Sequence, residues 1–235
     1  NDPDLCWATN VGGLRNVLDA AMQSACAPWL IFASSREVYG QPESLPVTED
    51  APLRPVNVYG HSKLEGERLV AEARRAGLRA CTIRLSNVFG STDDHADRVV
   101  PAFARAAAIG AELRVDGLNH TFDFTHVDDV TRGIVALVKL LGRGDSPPPP
   151  IHFVSRQPTT LGQLATLSAH LVQAGSCIRP AAPRDFDVSS FYGDPSRARA
   201  LLGWQPMIGL EEGLARLIQE FRAVHRVAEA QEVVR

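Results

Sequence analysis

Lysine is the scarcest of the charged residues in this sequence. Of the 24 basic residues, Lys63 and Lys139 are the two lysines, and the rest are arginines. Arginine cannot give up its proton or act as a compact ammonium group, whereas lysine can do both. A sequence shifted so far towards arginine keeps a lysine either by chance or where arginine cannot replace it. Each lysine is therefore a candidate for a special role.

The sequence also lacks a large charge and a long apolar run. Its formal net charge is −3 at pH 7, which gives no electrostatic reason to expect nucleic acid or an anionic membrane as a partner. No apolar run approaches the roughly 20 residues that cross a bilayer. Asn1–Asp4 is polar and acidic, whereas a signal peptide begins with basic residues. We therefore expect no nucleic-acid partner and no membrane partner.

Cysteine is sparse and unpatterned. The four cysteines are Cys6, Cys26, Cys81 and Cys177. No two of them form a Cys-x-x-Cys pair, and none has a histidine at the spacing of metal ligands, so we expect reduced cysteines and no metal site. Because unpaired thiols are typical of reducing compartments, a cytoplasmic location is the default expectation.

Helical and strand patterns alternate over the first 90 residues. Apolar positions at a helical period predict two amphipathic helices, and two short apolar runs predict buried parallel strands. In chain order these are helix Val11–Ala25, strand Trp29–Ala33, helix Val58–Ala76 and strand Ala80–Leu85. Such an order is typical of an α/β fold with a doubly wound parallel sheet.

Beyond Gly90 the patterns predict a second, smaller α/β region. We expect helices at Val99–Ile109, Asp129–Leu141, Thr160–Val172 and Leu210–Phe221, and a strand at Ile151–Val154. Thr160 and Gln163 have the spacing of a capping box, which marks the start of a helix.

The strongest chemical feature is Tyr59-Gly-His-Ser-Lys63. Residues four apart lie on one face of a helix, so the phenol and the ammonium group lie side by side. A cation close to a tyrosine favours the phenolate and lowers the pKa of the phenol. A general acid or base that moves a proton on a hydroxyl group needs that property. The alternative is a tyrosine and a lysine that share a helix face by chance.

Two serines, Ser34 and Ser35, follow directly on the first predicted strand. Open α/β sheets carry ligand-binding groups at the carboxyl ends of their strands. A serine hydroxyl there could relay or share the proton that Tyr59 handles. The alternative for both serines is a turn or a helix cap.

Six segments, in order and over nearly the whole chain, resemble the NAD-dependent epimerase/dehydratase family. This family consists of extended short-chain dehydrogenases/reductases and includes UDP-glucose 4-epimerase-like enzymes. The segments carry the family's Asn-Val-x-Gly, Ser-Ser-x-x-Val-Tyr-Gly, Tyr-x-x-x-Lys, Arg-x-x-Asn-x-x-Gly, Asp-Phe-x-x-Val-Asp-Asp and Leu-Gly-Trp-x-Pro patterns. They are Asn10–Gly13, Ala33–Gly40, Tyr59–Lys63, Arg84–Gly90, Asp123–Asp129 and Asp194–Pro206.

The resemblance implies a Rossmann-like domain that binds NAD, with NADP less expected, and a nucleotide-sugar substrate. It makes Tyr59 the acid/base, Lys63 the residue that lowers the tyrosine pKa and bonds the nicotinamide ribose, and Ser35 the catalytic serine. The implied cofactor contacts are Asn10, Ala33, Ser34, Tyr59 and Lys63. Ser35 and Asn87 would contact the substrate, with hydride and proton transfer at a sugar hydroxyl.

Glu37 leaves the net reaction open. Dehydratases and decarboxylases of the family carry glutamate at this position as a base, but the best-known dehydratases have Asp-Glu where this chain has Arg36-Glu37. The resemblance therefore favours an epimerase or oxidoreductase, with a 4,6-dehydratase or decarboxylase that uses Glu37 as the alternative. A non-catalytic binding or regulatory protein on the same fold is the rival from another class.

Other positions depart from the family or allow two roles. Many members have an arginine at the position of Phe122, where it clamps the substrate diphosphate, so Arg98 or Arg184 would take over that contact here. Arg84 could form a structural ion pair or contact a ligand. Asp128 or Asp129 is expected to cap the following helix.

The resemblance also divides the chain. Residues 1–90 would be the C-terminal part of the Rossmann-like domain, without its first strands. Residues 91–235 would mainly bind substrate, with segment 117–155 packing back against the Rossmann-like part. Family members often dimerise through two helices that correspond to Val11–Ala25 and Val58–Ala76, so a homodimer is expected.

A glycine-rich phosphate loop of the form Gly-x-Gly-x-x-Gly or Gly-x-x-Gly-x-x-Gly does not occur in these 235 residues. Such a loop lets the backbone approach the pyrophosphate of a dinucleotide at a helix N-terminus.

The expectation is an N-terminally truncated chain that binds NAD poorly by itself. Calorimetric titration of the 235-residue chain with NAD tests this, and micromolar binding would contradict it.

Overall fold

A computed structural model of the protein describes residues 2–144, 146–172, 177–183 and 188–233. Its α-helices are α1 (Pro3–Trp7), α2 (Gly13–Gln23), α3 (Val58–Arg75), α4 (Val99–Ala108), α5 (Val127–Leu141), α6 (Leu161–Val172), α7 (Ser196–Leu202) and α8 (Leu210–Val233). Its strands are β1 (Leu30–Ser35), β2 (Ala80–Leu85), β3 (Asn87–Phe89), β4 (Leu113–Asp116), β5 (Thr121–Phe122), β6 (Phe124–His126), β7 (Ile151–Phe153), β8 (Thr159–Thr160), β9 (Ile178–Ala181) and β10 (Ser190–Phe191).

The described residues belong to two structural units. The first unit is Asn1–Ser86, Arg132–Arg156 and Ser190–Gln205, and the second is Asn87–Thr131, Gln157–Ser189 and Pro206–Arg235. In the part of the chain that the structure describes, no helix combines the length and the apolar character that a membrane span requires.

The first unit is built on a parallel sheet with the strand order β1-β2-β7. Leu30 pairs with Ala80, and Ile83 pairs with Ile151. The central strand β2 is buried from Ala80 to Arg84, and four of its six residues are apolar, as is typical of a strand covered on both faces. The parallel α/β architecture predicted from the alternation of patterns is confirmed, and strand Ala80–Leu85 has the predicted bounds.

Helices α2 and α3 cover a hydrophobic cluster on this sheet. The cluster consists of Leu18, Phe32, Val70, Leu78 and Ala80, with Leu14, Ala21, Leu30, Leu69 and Ala73 packed around it. Gly66 lets α3 approach closely, because a Cβ atom at this position would overlap the Phe32 ring. Gly77, with φ of +102°, follows the last residues of α3, as expected for a helix that ends in a glycine.

The N-terminal helical segment is longer than the sequence pattern indicates. The predicted helix begins at Val11, whereas α1 begins at Pro3 with Asp2 as its N-cap. A π-helical turn at Ala8–Gly12 joins α1 to α2. None of the α1 residues is buried, so no apolar stripe identified this segment in the sequence.

The second unit contains short strand pairs and three packed helices. Strand β3 pairs with β6, and β4 with β9, both in parallel, whereas β5 pairs with β8 in antiparallel. Helix α4 packs against α6 and α8. The capping box predicted for α6 is confirmed, because Thr160 Oγ1 accepts from the Gln163 amide at 3.0 Å and Gln163 Oε1 accepts from the Thr160 amide at 2.8 Å.

The cap predicted for α5 is wrong. This helix begins at Val127, so Asp128 and Asp129 lie inside its first turn. The Asp128 amide donates to His126 Nδ1 at 3.2 Å. Asp129 is fully buried, and its Oδ2 accepts from the amides of Met207 and Ile208, each at 3.0 Å. Its carboxylate thus holds the segment that leads into α8, a contact between residues distant in sequence.

Arg84 forms the polar centre of the first unit. Of its two expected roles, a structural ion pair or a ligand contact, it has the structural one. Its Nε donates to Glu67 at 2.9 Å, and its Nη2 donates to the second Glu67 oxygen at 2.7 Å. Its Nη1 donates to Tyr39 Oη at 2.6 Å and to the Glu49 carbonyl at 2.7 Å. Arg84 is 4% exposed, so this guanidinium depends on protein partners for the hydrogen bonds that water would otherwise provide.

His152 closes the same network. Its Nε2 lies 2.6 Å from Tyr39 Oη, and its amide donates to Glu49 Oε1 at 3.0 Å. Burial, with the Arg84 cation as the next cause, lowers the pKa of His152 to about 3. Burial also raises the pKa of Tyr39 far above its ordinary value. Both groups are therefore neutral near pH 7.

The Arg84–Glu67 pair can be tested against a surface pair on the same helix. In Glu67→Ala the buried guanidinium loses its carboxylate, so we predict that the free energy of unfolding falls by about 3 kcal/mol. In Glu65→Ala only a pair with Arg68 is lost, whose side chain is 66% exposed, and the fall should stay below about 1 kcal/mol. Urea denaturation measures both. Equal losses would contradict a structural role for the buried pair.

Candidate active site

Lys63 lies where helix α3 meets the carboxyl end of β1. Its Nζ donates to the carbonyl oxygen of Ala33 at 3.1 Å. The same ammonium group is 5.5 Å from the centroid of the Tyr59 ring and 5.3 Å from that of Phe32. Burial lowers the pKa of Lys63. The scarce lysine is therefore a partly desolvated cation between a strand end and the tyrosine one turn before it.

Tyr59 lies in the first turn of α3 and is 41% exposed. Its position four residues before Lys63 directs both side chains to the same helix face. Peptide dipoles leave a partial positive charge at a helix N-terminus, which favours an anion such as a phenolate there. A cation and a helix start thus both lie close to the tyrosine ring.

Ser35 and Ser34 have different surroundings at the end of β1. Ser35 is the N-cap of a 3-10 turn at Arg36–Tyr39, and its Oγ accepts from the Glu37 amide at 3.2 Å. Ser34 is 3% exposed, and its Oγ has no hydrogen-bond partner among the described residues. Successive residues of a strand point to opposite faces, so the two serines do not share one environment.

Glu37 is held at both carboxylate oxygens. Arg36 Nη2 lies 2.8 Å from Oε1, and Asn57 Nδ2 donates to Oε2 at 3.0 Å. The Asn57 amide has a second contact, because its Oδ1 accepts from the Gly60 amide at 2.7 Å and so caps α3. The glutamate that could act as a base is thus connected to the helix that carries Tyr59.

Gly60 brings the Glu37 backbone against the start of α3. A Cβ atom at Gly60 would lie 2.6 Å from the carbonyl oxygen of Glu37, so a larger side chain would force the two segments apart. Sequence reasoning missed both Asn57 and Gly60. The signals were an asparagine directly before a predicted helix and a glycine inside the Tyr-x-x-x-Lys motif.

Asn10 lies in the π-helical turn and contacts α3. Its Nδ2 donates to Ser62 Oγ at 2.9 Å and to Cys6 Sγ at 3.5 Å. Ser62 directly precedes Lys63, so the structure brings Asn10 next to the motif. Turns of π-helix often occur at functional sites.

The other predicted substrate contacts lie in the second unit or outside the described residues. Asn87 Nδ2 donates to the Asp123 carbonyl at 3.2 Å. Arg98 directly precedes α4, its side chain is 56% exposed, and its Nε lies 3.6 Å from Asp94 Oδ1. Arg184 is not among the described residues.

Metal ligands and cysteines are the other groups that could carry chemistry. Within the described ranges, no cluster of three or more His, Cys, Asp or Glu side chains could hold a metal ion. The four cysteines are unpaired thiols, with Cys81 buried and Cys26 and Cys177 exposed. What the first unit presents instead is a phenol, an ammonium group and a serine hydroxyl around the end of one strand.

The family of the chain follows from comparison with known proteins. The model of the NAD dependent epimerase/dehydratase family matches residues 1–150. UDP-glucuronic acid decarboxylase 1 of Xenopus tropicalis is 32% identical over 222 residues, which are 91% of this chain and 51% of the relative. The chain thus spans about half the length of that curated relative.

A second relative and a solved structure are covered more fully. UDP-glucose 4-epimerase of Mycolicibacterium smegmatis is 30% identical over 227 residues, which are 94% of this chain and 71% of the relative. The crystal structure of UDP-glucose 4-epimerase from Thermotoga maritima with UDP-glucose superposes with a TM-score of 0.88 at 26% identity, covering 95% of this chain and 72% of that one. Together with the Tyr-x-x-x-Lys site, these matches show that the chain belongs to the NAD dependent epimerase/dehydratase family.

Proposed function

We propose that this chain is part of an NAD-dependent nucleotide-sugar epimerase or oxidoreductase. The observation that carries the proposal is the position of Lys63, 3.1 Å from the Ala33 carbonyl and 5.5 Å from the Tyr59 ring centroid. A binding module has no need for a desolvated ammonium group beside an accessible phenol. An enzyme that removes a proton from a hydroxyl group does.

The proton chemistry follows from these three side chains. Tyr59, as the phenolate, takes the proton of a sugar hydroxyl, and returns it when the carbonyl is reduced. Lys63 stabilises the phenolate through its positive charge. Ser35 lies at the same strand end, two residues after the Ala33 carbonyl that Lys63 binds. Its hydroxyl can donate to the substrate oxygen, because the contact with the Glu37 amide uses it as an acceptor.

The residues fit the ribose end of a nicotinamide nucleotide. An ammonium group has three N–H donors, and among contacts between described residues Lys63 uses one of them, on Ala33. We propose that Lys63 and Tyr59 bind the nicotinamide ribose, with Ala33, Ser34 and Asn10 around it. Bound NAD supplies the hydride acceptor and donor for the reaction. The family's name supports NAD over NADP.

The substrate class is a nucleotide sugar with a uridine diphosphate. This proposal rests on the relatives, which are named for UDP-glucose and UDP-glucuronic acid. Asn87, Arg98 and Arg184 stay candidates for contacts with the nucleotide, and Ser35 for the sugar. Arginine suits a diphosphate because its planar fork donates two parallel hydrogen bonds.

Decarboxylation is the second candidate reaction. It is supported by the 32% identity to a UDP-glucuronic acid decarboxylase and by Glu37, whose amide contacts Ser35. Against it, Arg36 and Asn57 engage both carboxylate oxygens of Glu37. Either oxygen must leave its present partner before it can take a substrate proton. Epimerisation or oxidoreduction is therefore the first proposal.

We propose a cytoplasmic homodimer as the setting. The cytoplasmic part is supported by the four unpaired thiols, since thiols stay reduced in that compartment. The homodimer is supported by large apolar side chains on the surface of α2, where Val17 is 54% and Met22 45% exposed. Exposed apolar patches commonly mark protein–protein interfaces.

The role of Tyr59 can be tested with the smallest available change. In Tyr59→Phe, made in the intact protein, the ring stays and the hydroxyl group is lost, so we predict that turnover of UDP-glucose falls at least about 100-fold, with an unchanged melting temperature. Tyr192 directly follows β10, and Tyr192→Phe is the matched control that should keep its rate. Measured rates of UDP-galactose formation decide the matter, since a non-catalytic binding protein would show no turnover in any form.

The role of Glu37 distinguishes the two reactions. In Glu37→Gln the side chain still accepts a hydrogen bond from Asn57, so we predict epimerisation to stay within about tenfold of the wild-type rate. A base lost from a decarboxylase would reduce the rate by about 100-fold or more. Interconversion of UDP-glucose and UDP-galactose and release of carbon dioxide from UDP-glucuronic acid are measured in parallel. Loss of carbon dioxide release alone would make decarboxylation the better reading.

A further inference from the structure

We propose that Asn57 is a positioning residue that fixes Ser35 relative to Tyr59 by holding the Glu37 carboxylate against the start of α3. The proposal rests on the proposed function, since it concerns the geometry of that site. Asn57 and Glu37 are 20 residues apart, and their side chains meet at 3.0 Å. The contact therefore closes a long loop at the point where the strand end and the helix converge.

The first step is the double use of the Asn57 amide. Its oxygen accepts from the Gly60 amide at 2.7 Å, and its nitrogen donates to Glu37 at 3.0 Å. A helix cap needs the oxygen alone, and aspartate or serine supplies one as well as asparagine does. An ionised aspartate offers no donor, and a serine side chain is shorter. The donor to Glu37 is thus what distinguishes asparagine from the other good caps at this position.

The second step is the position of Glu37 between the two catalytic candidates. Its amide donates to Ser35 Oγ at 3.2 Å. Its carbonyl oxygen lies so close to Gly60 that a Cβ atom there would be 2.6 Å away. Gly60 directly follows Tyr59. A continuous series of contacts therefore runs from Ser35 through Glu37 and Asn57 to the residue beside Tyr59.

The third step is the rigidity of the contact. Arg36 lies 2.8 Å from the other Glu37 oxygen, so the carboxylate is held from two sides. Hydrogen bonds to a charged carboxylate are about twice as strong as neutral ones. Displacement of a catalytic group by about 1 Å can reduce a rate about 100-fold. Loss of the Asn57 donor should therefore change the rate of the chemical step more than substrate affinity.

The test uses two substitutions that keep a helix cap and remove the donor. For Asn57→Ser and Asn57→Asp in the intact protein, we expect kcat to fall about 10- to 100-fold, with KM within about threefold and no loss of melting temperature. In Asn57→Asp the new carboxyl faces Glu37, and like charges raise the pKa of one of them. Its activity relative to wild type should rise as the pH falls, because a protonated carboxyl donates to Glu37 as the amide did.

A double substitution and a spectroscopic measurement complete the design. Asn57→Asp combined with Glu37→Gln exchanges donor and acceptor, so the pair can form again and kcat should recover over Asn57→Asp alone. Carboxyl NMR titration of Asn57→Asp should show that the new carboxyl and Glu37 titrate as a coupled pair, with one apparent pKa of the pair raised by about one unit or more. This measurement does not depend on turnover, so it tests the contact even if the wild type proves inactive and the proposed function fails.

Two results would overturn the proposal. Wild-type turnover that depends on Tyr59, together with unchanged kcat and pH profile in Asn57→Ser and Asn57→Asp, would show that Asn57 is a helix cap alone. Two carboxyls that titrate independently of each other in Asn57→Asp would overturn it as well. If melting temperatures fall in both variants, recovery of kcat in the double substitution still decides between the two roles.

Discussion

The buried ion pair between Arg84 and Glu67 determines how the first unit is built. A guanidinium in a core is costly unless its hydrogen bonds are satisfied, and Glu67 satisfies two of them. Glu67 lies four residues after Lys63, which lies four residues after Tyr59, so all three occupy one face of α3. The ion pair joins Glu67 of α3 to Arg84 of β2. It therefore also fixes the direction in which α3 presents Lys63 and Tyr59.

Much of this arrangement could be predicted from the sequence, because it depends on local periodicity. Strand Ala80–Leu85, helix α3 and the capping box of α6 follow from patterns within a few residues. The partners of Arg84 and of Asp129 could not be predicted, since Glu67, Met207 and Ile208 are connected to them by tertiary packing and not by a spacing. The Asn57–Glu37 contact has the same character, and the resemblance that identified the candidate site residues carried no information about it.

Glu37 has a structural role in the candidate site. Glu37 could act as a base, yet its two oxygens contact Arg36 and Asn57, and its amide contacts Ser35. In this chain the residue thus connects the end of β1 with the start of α3.

The neutral His152 has a consequence for behaviour in acid. A histidine in an unfolded chain has a pKa of about 6.5, whereas in the fold burial lowers that of His152 to about 3. Between these two pH values His152 is protonated in the unfolded chain and neutral in the folded chain. Its contribution to the free energy of unfolding therefore falls progressively as the pH falls. Above about pH 6.5 the histidine is neutral in both states, and this loss of stability is absent. The core that orients the candidate site is therefore intrinsically sensitive to acid, through a side chain that contacts Tyr39 and Glu49.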